Sequence, residues 1–205
     1  MRQLAVDERT DFAAFLETLT PRQWDAPTLC DDWRVRDVVA HVVSYDDLST
    51  TAAVGRIVRA GFSLRKANHA RLAELAGLSP DEIMATVRRN IEPRGLTAVA
   101  GARVALTDGL IHHQDIRRPL GLPREIPPER LHRVLGFAMT APPLGARRRV
   151  RGLRLVATDL DWTHGDGPEV RGPAEPLLLA SAGRRGAVEE LSGDGQSILA
   201  GRIAG

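Results

Sequence analysis

Up to Leu120 the apolar residues of this chain recur at helical spacing, and beyond Gly152 they alternate; that change of period constrains the fold most. Phe12, Phe15, Leu16 and Leu19 make one stripe of a helix from about Val6 to Leu19. Thr20-Pro21-Arg22-Gln23 restarts a short helix, with Thr as N-cap, Pro at the first position and Gln at the third. After a loop from Pro27 to Trp33, a helix reaching about Leu48 buries Val35, Val38, Val39, Val42 and Val43. So many β-branched residues lower intrinsic helix propensity, and packing must hold this helix. Ser49 to Gly61 is weakly patterned, a loop or a short helix. Phe62 to Leu75 reads as a helix stopped by Gly77, and Ser79-Pro80-Asp81-Glu82 is a complete start signal for the next. Pro93 and Gly95 interrupt the pattern. Leu96 to about Arg117 is then the most hydrophobic helix, stopped by Pro119 and Gly121. Such a series predicts an antiparallel four-helix bundle, in which facing helices commonly build metal sites.

Pro127-Pro128-Glu129-Arg130 starts a further helix through Leu131, Val134, Leu135 and Ala138. Leu153, Leu155 and Ala157 then alternate with Arg154, Val156 and Thr158, and Gly165-Asp166-Gly167-Pro168 has the composition of a hairpin turn. Pro173 to Ala182 is a short helix. Glu190 to Gly195 and Gln196 to Ile203 read as closing strands. The expected class is α+β, with the bundle over residues 1–125 and a small α+β domain over 126–205.

At 205 residues, 43% of them hydrophobic and 26% charged, the chain has enough apolar content for a real core. No apolar run approaches a membrane span, and Arg2, Asp7, Glu8 and Arg9 stand where a signal peptide would be hydrophobic, which points to the cytoplasm and away from a membrane. The single cysteine, Cys30, excludes an internal disulfide and any multi-cysteine zinc motif, and reads as a small packed residue. The formal net charge is +2 and Lys66 is the only lysine, so the basic residues are nearly all arginine. The dense run Arg147-Arg148-Arg149-Val150-Arg151 has no adjacent aromatics for base stacking and reads as a solvated linker, so nucleic acid is not an expected partner.

The chemistry concentrates in Asp108-Gly109-Leu110-Ile111-His112-His113-Gln114-Asp115. At 3.6 residues per turn, positions 108, 112 and 115 share one helical face, bearing carboxylate, imidazole and carboxylate. A carboxylate and an imidazole one turn apart can reach one divalent ion, and a catalytic zinc takes three protein ligands. A third ligand is available in His41, within the apolar run Val38-Val39-Ala40-His41-Val42-Val43. The competing reading makes Asp108 and His112 a solvated helix pair and His41 a core histidine bonded to a backbone carbonyl. His113 points about 100° away from His112 and is not expected to be a ligand. His69, His132 and His164 lack partners at ligand spacing.

Trp24-Asp25-Ala26-Pro27-Thr28-Leu29-Cys30-Asp31-Asp32-Trp33-Arg34-Val35-Arg36-Asp37-Val38-Val39-Ala40-His41 resembles the first motif of the mycothiol-dependent maleylpyruvate isomerase family. Ile111-His112-His113-Gln114-Asp115-Ile116-Arg117-Arg118-Pro119-Leu120-Gly121 resembles its second. That family belongs to the DinB/YfiT-like metal-binding four-helix bundles, and the C-terminal part is similar to its small sterol-carrier-like α/β domain. The resemblance implies a divalent metal, zinc for preference, held by His41, Asp108 and His112, with mycothiol or another low-molecular-weight thiol as cosubstrate. It implies a supporting role for Asp115, orienting an imidazole or the bound thiol, with an ion pair to Arg117 or Arg118 as the alternative. Arg184 matches a Gly-Arg motif and would meet a substrate carboxylate unless it is simply exposed at a helix end. Tyr45, one turn after His41, would line the thiol pocket or be a half-buried bundle residue. Two departures stand out: Asp108 is one methylene shorter than the family's frequent glutamate, and Arg34 replaces a Ser/Thr helix cap, leaving Asp37 as the acid of that helix start. The expected function is S-transfer to, or cis–trans isomerisation of, a small electrophile. These reactions share their first step, and the metal ligands do not separate them. The alternative is a non-catalytic bundle that binds or sequesters a metal or ligand. Oligomeric state is not legible.

Overall fold

The computed structural model describes residues 1–99 and 101–204 in full and the backbone of residue 100. The chain divides into two units, Met1–Arg124 and Glu125–Gly205. It is a helix-rich α+β protein whose one sheet has three strands.

The first unit contains α1 (Arg2–Leu16), α2 (Pro21–Trp24), α3 (Val35–Val43), α4 (Thr50–Arg59), α5 (Leu64–Leu75), α6 (Pro80–Arg89) and α7 (Val99–Leu120). α1 packs against α6 and α7, and α3 against α5, α6 and α7. Phe12 and Leu16 of α1, Val35, Val38 and Val39 of α3, and Ile116 of α7 are almost wholly removed from water in one shared core. This burial is what holds the valine-rich α3, against its propensity, as a helix.

The start signals work as their chemistry requires. Thr20 N–H donates to Gln23 Oε1 at 2.9 Å and Ser79 N–H to Glu82 Oε2 at 2.8 Å. Asp37 takes over the cap of α3, accepting from Arg34 N–H at 2.9 Å and from its Nε at 3.2 Å. Ser49 caps α4, so the weakly patterned stretch after Leu48 is a helix. α3 stops at Val43, five residues short of the expected end. Ser44 Oγ donates to the carbonyl of His41, and Asp46 is drawn off the helical path into a buried ion pair with Arg9, bidentate at 2.9 and 3.0 Å. Thr97 and the backbone N–H of Arg94 also donate to Asp46, tying this turn to the segment that leads into α7. α7 ends at Gly121 in the left-handed conformation, φ +66°.

The second unit contains α8 (Pro128–Ala138), α9 (Ala146–Val150), β1 (Arg154–Ala157), β2 (Thr163–His164), β3 (Glu169–Gly172), α10 (Ala174–Ser181) and α11 (Gln196–Ala204). The strand order is β2-β1-β3, β2 antiparallel and β3 parallel to β1. α10 packs against α8, β1 and β3, with Leu177, Leu178 and Leu179 fully buried. Three expectations are corrected here. Glu190 to Gly195 is not a strand and forms only a single bridge, Ser192 to Arg171. The hairpin reversal falls at residues 158–162, and Gly165 to Pro168 instead carries the chain across to the far side of β1. Gly165 and Gly167 have positive φ and lie against the carbonyls of Leu153 and Gly152, where any side chain would collide. Gln196–Ala204 is a helix, not a strand: Leu199 and Ile203 sit one turn apart, Leu199 fully buried, and Gln196 Nε2 donates to the carbonyl of Val188. Among the described residues no helix is long and apolar enough to cross a membrane.

Candidate metal centre

α7 presents Asp108, His112 and Asp115 on one face, and α3 presents His41 towards it. His41 Nε2 lies 3.7 Å and His112 Nε2 3.5 Å from Asp108 Oδ1. The two imidazoles meet edge to face, centroids 5.0 Å apart, and the three donor atoms all lie within 4.8 Å of one another. Both histidine side chains are 11% exposed and that of Asp108 is 33% exposed, so the group is shielded but reachable.

Asp115 supports the group from behind. Its side chain is fully buried, and Oδ2 lies 2.8 Å from His112 Nδ1. With the Nδ1 proton directed at that carboxylate, His112 turns Nε2 towards Asp108 and His41. The tautomer a metal ligand needs is thereby fixed by a neighbour. Cys30 Sγ donates to the same Oδ2 at 3.1 Å and lies 3.6 Å from His112 Nδ1, and Leu29 N–H donates to the carbonyl of Asp115 at 3.0 Å. The loop before α3 is therefore clipped to α7 through both the side chain and the backbone of Asp115. Trp33 forms a wall, its ring centroids 5.0 Å from His41, 6.3 Å from His112 and 6.2 Å from His69. The second imidazole is less constrained: His41 Nδ1 is buried with no hydrogen-bond partner among the described residues.

Electrostatics follow from this crowding. Burial pushes the Asp108 carboxyl up, but the charge and hydrogen bond of His112 and the hydrogen bond of His41 outweigh it and hold the group well below the usual carboxylate range. Burial pushes His112 down, and Asp108, Asp115 and Cys30 together carry it well above the ordinary imidazole value. An imidazole between two carboxylates is a site that favours a cation.

The residues fit a small divalent ion. In a tetrahedral site with metal–ligand bonds of ~2.0–2.1 Å, neighbouring donor atoms are about 3.3 Å apart. The 3.5 and 3.7 Å to Asp108 require a contraction of a few tenths of an ångström, and the two imidazole donors lie within 4.8 Å of each other. A second donor set, Cys30 with His112 and Asp115, adjoins the first on the other edge of the His112 ring.

Of the expected site residues, His41, Asp108, His112 and Asp115 come together. Tyr45 lies in the turn after α3, where its hydroxyl donates to Asn68 Oδ1 at 3.0 Å and burial raises its pKa. Arg184 belongs to the second unit, and its guanidinium donates to the carbonyl of Ala182 at 3.0 Å. The sequence reading missed Cys30 and Trp33 as members of the cluster. Their signal lay in position: both fall in the loop that immediately precedes the ligand-bearing helix.

His113 lies about 100° round α7 from His112, against Phe12 and Phe15, and is fully buried. Arg117 Nε donates to its Nε2 at 2.8 Å, which leaves Nδ1 to donate to Glu8 Oε1 at 3.0 Å. Arg124 closes on Glu8 at 2.6 and 3.2 Å. Burial, reinforced by Arg124 and Arg117 against the bond to Glu8, pushes His113 down to about 4. Burial raises Glu8, but His113 and Arg124 outweigh it and bring its pKa down to about 2.

A helical unit that brings two imidazoles and a carboxylate to one point, with a second carboxylate behind one imidazole, defines a class of candidate metal-binding protein. Its relatives are more particular. Residues 5–94 match the family model of the mycothiol maleylpyruvate isomerase N-terminal domain, a stretch that includes His41 and stops before Asp108. Two crystal structures share the fold of the chain: a histidine-to-alanine mutant of the mycothiol-dependent maleylpyruvate isomerase (TM-score 0.60, 16% identity) and the mycothiol-dependent maleylpyruvate isomerase itself (TM-score 0.58, 15% identity). Each comparison covers 94% of this chain and 90% of the other. No curated protein matches in sequence. The resemblance to the mycothiol-dependent maleylpyruvate isomerase family therefore holds: residues 5–94 match the model of its N-terminal domain, and the chain shares the fold.

Proposed function

We propose that the chain is a metal- and thiol-dependent enzyme acting on a small electrophile in the cytoplasm, with His41, Asp108 and His112 as metal ligands and Asp115 orienting His112. One observation carries the reading: a carboxylate and two imidazoles from two helices converge within 4.8 Å, and the far nitrogen of one imidazole is already bonded to a buried carboxylate. The proposal takes α1, α3, α6 and α7 as an antiparallel four-helix bundle of the DinB/YfiT type over residues 1–125, and residues 126–205 as a sterol-carrier-like domain. A divalent cation held by these ligands, zinc for preference, would draw a bound low-molecular-weight thiol such as mycothiol into its thiolate form at neutral pH.

The chain's own residues do the rest. Asp115 keeps the His112 proton on Nδ1, so Nε2 remains a donor. Trp33 shields the His41 side from water. The thiol sulfur adds to an activated alkene; rotation about the resulting single bond and elimination of the same thiol give the trans isomer, while release of the adduct completes an S-transfer.

Metal analysis of the purified protein tests the ligand set, and consumption of mycothiol against maleylpyruvate and other activated alkenes tests the reaction. One divalent ion per chain is expected, lost in His41→Ala and His112→Ala and kept in Cys30→Ser. Metal retained without His41 but lost without Cys30 would transfer the assignment to the second donor set. Full metal occupancy with no thiol consumption would leave the non-catalytic binding module as the better reading.

A further inference from the structure

The second unit contains a cavity of about 330 Å³ lined by Arg148, Arg149, Arg151 and Arg202. The arginine-rich run is wound into α9 and the residue that follows it, and α11 packs against α9, so Arg202 joins the guanidiniums of the run. Two of the four are fixed in place. Arg149 Nη1 donates to the carbonyls of Leu144 at 2.6 Å and Ser181 at 3.1 Å. Arg202 Nη1 donates to the carbonyls of Arg149 and Arg151, each at 2.7 Å. Gly183, at φ +99°, makes room for this arrangement, because a Cβ there would lie 2.9 Å from Arg149 Nη2.

Among the described residues no carboxylate pairs with any of the four, whereas Arg154 and Arg171 both pair with Glu169. Burial, together with the like charges of Arg148 and Arg184, lowers the pKa of Arg149, although a guanidinium stays charged at any physiological pH. Four cations therefore surround one hollow, and no carboxylate among the described residues neutralises them. Two of them have already given up the side-chain freedom that binding would otherwise cost. Planar forks with N–H groups to spare are the donors that recognise oxyanions, phosphate above all.

We propose that this cavity binds a small, multiply charged phosphate, a diphosphate group being the simplest, with Arg149 and Arg202 as fixed donors and Arg148 and Arg151 closing over it. A nucleic-acid strand is the poorer fit, because no aromatic side chain lines the cavity to stack a base. The inference concerns the second unit alone and stands or falls independently of the metal centre.

Titration calorimetry and thermal melting of the whole protein with sodium pyrophosphate at constant ionic strength test it. Expected are saturable binding and a rise in melting midpoint of about 4 °C at ten times the dissociation constant. Arg148→Ser/Arg151→Ser, which removes two exposed side chains, should weaken binding at least tenfold. The matching double lysine variant, which keeps the charge but not the fork, should fall between. Equal affinity in the serine variant, or no binding by the wild type, overturns the proposal. Citrate binding as tightly as pyrophosphate would overturn the choice of phosphate. A single-stranded oligonucleotide binding more tightly than pyrophosphate, and lost in the same variant, would replace the small ligand by nucleic acid.

Discussion

Asp115 is the residue whose replacement most sharply tests how the candidate metal centre works. Its carboxylate is fully buried and lies 2.8 Å from His112 Nδ1, a charge-assisted hydrogen bond of short length. Bonds of this kind contribute about 1.5–3 kcal/mol, a factor of roughly 10–150 in a binding constant. Neighbours that orient metal ligands affect metal affinity over about the same range, 10–100-fold. Asp115→Asn keeps the shape and an accepting oxygen but loses the charge, and should weaken metal binding by about tenfold. Asp115→Ala also strands the His112 Nδ1 proton and the Cys30 thiol in a buried pocket, and should approach a hundredfold, about 2.7 kcal/mol.

A chromophoric chelator competing for zinc reads these differences directly, without a substrate. Nitrogen-15 shifts of the metal-free histidines, recorded at a pH high enough to deprotonate the His112 imidazolium, supply a second readout, since without Asp115 the neutral ring should populate both tautomers. Affinities within threefold of wild type in both variants would refute the argument that Asp115 prepares His112. Loss of binding together with an unchanged tautomer would mean that Asp115 acts on the metal by some other route.

Three further outcomes follow from the packing. Glu8 and His113 both have folded pKa values below their ordinary ones, about 2 against 4.5 and about 4 against 6.5, so both favour the folded chain in their deprotonated forms. Their stabilisation is complete above pH 6.5 and declines as pH falls, first through the His113 window and then through that of Glu8, by about 3 kcal/mol for either shift taken alone. Urea midpoints measured from pH 7 to 3 should fall accordingly, and His113→Gln should remove the limb nearer neutrality; a flat profile would contradict the assignment. Asp46→Ala strands the buried Arg9 guanidinium and should cost about 3–5 kcal/mol in urea denaturation, whereas a loss under about 1 kcal/mol would mean water reaches that pair. Trp33 lies 5.0 Å from the His41 ring, so loading zinc should change the tryptophan emission, and Trp33→Phe should abolish that change while Trp24 and Trp162 remain.

The legible parts of this protein are those that local chemistry dictates. Asp108, His112 and Asp115 share a helical face because the helix period is fixed, and the apolar run around His41 gives its imidazole a shielded setting. The capping boxes at Thr20 and Ser79 are equally local. What escaped the sequence depends on contacts distant in the chain. α3 reads as a longer helix because nothing near Asp46 shows that Arg9, thirty-seven residues earlier, will draw it aside. Gln196–Ala204 reads as a strand because Ile198-Leu199 is a short apolar pair of either period, and only the groove beside Val188 decides for a helix. The turn at Gly165 has hairpin composition, yet its glycines serve a close backbone crossing, a requirement set by Gly152 and Leu153.

Cys30 shows why a site is harder to read than the elements that carry it. In sequence it is one thiol among two aspartates and a tryptophan, with no partner in reach. Leu29 and Cys30 gain one only when the loop before α3 lies along α7, where a backbone N–H and a thiol both find Asp115. That contact joins the loop leading into one imidazole-bearing helix to the other such helix. The pairing of Asp108 with His112 can be inferred from spacing along one helix, but the 3.7 Å approach of His41 to Asp108 is made across helices, by the packing of α3 and its preceding loop on α7.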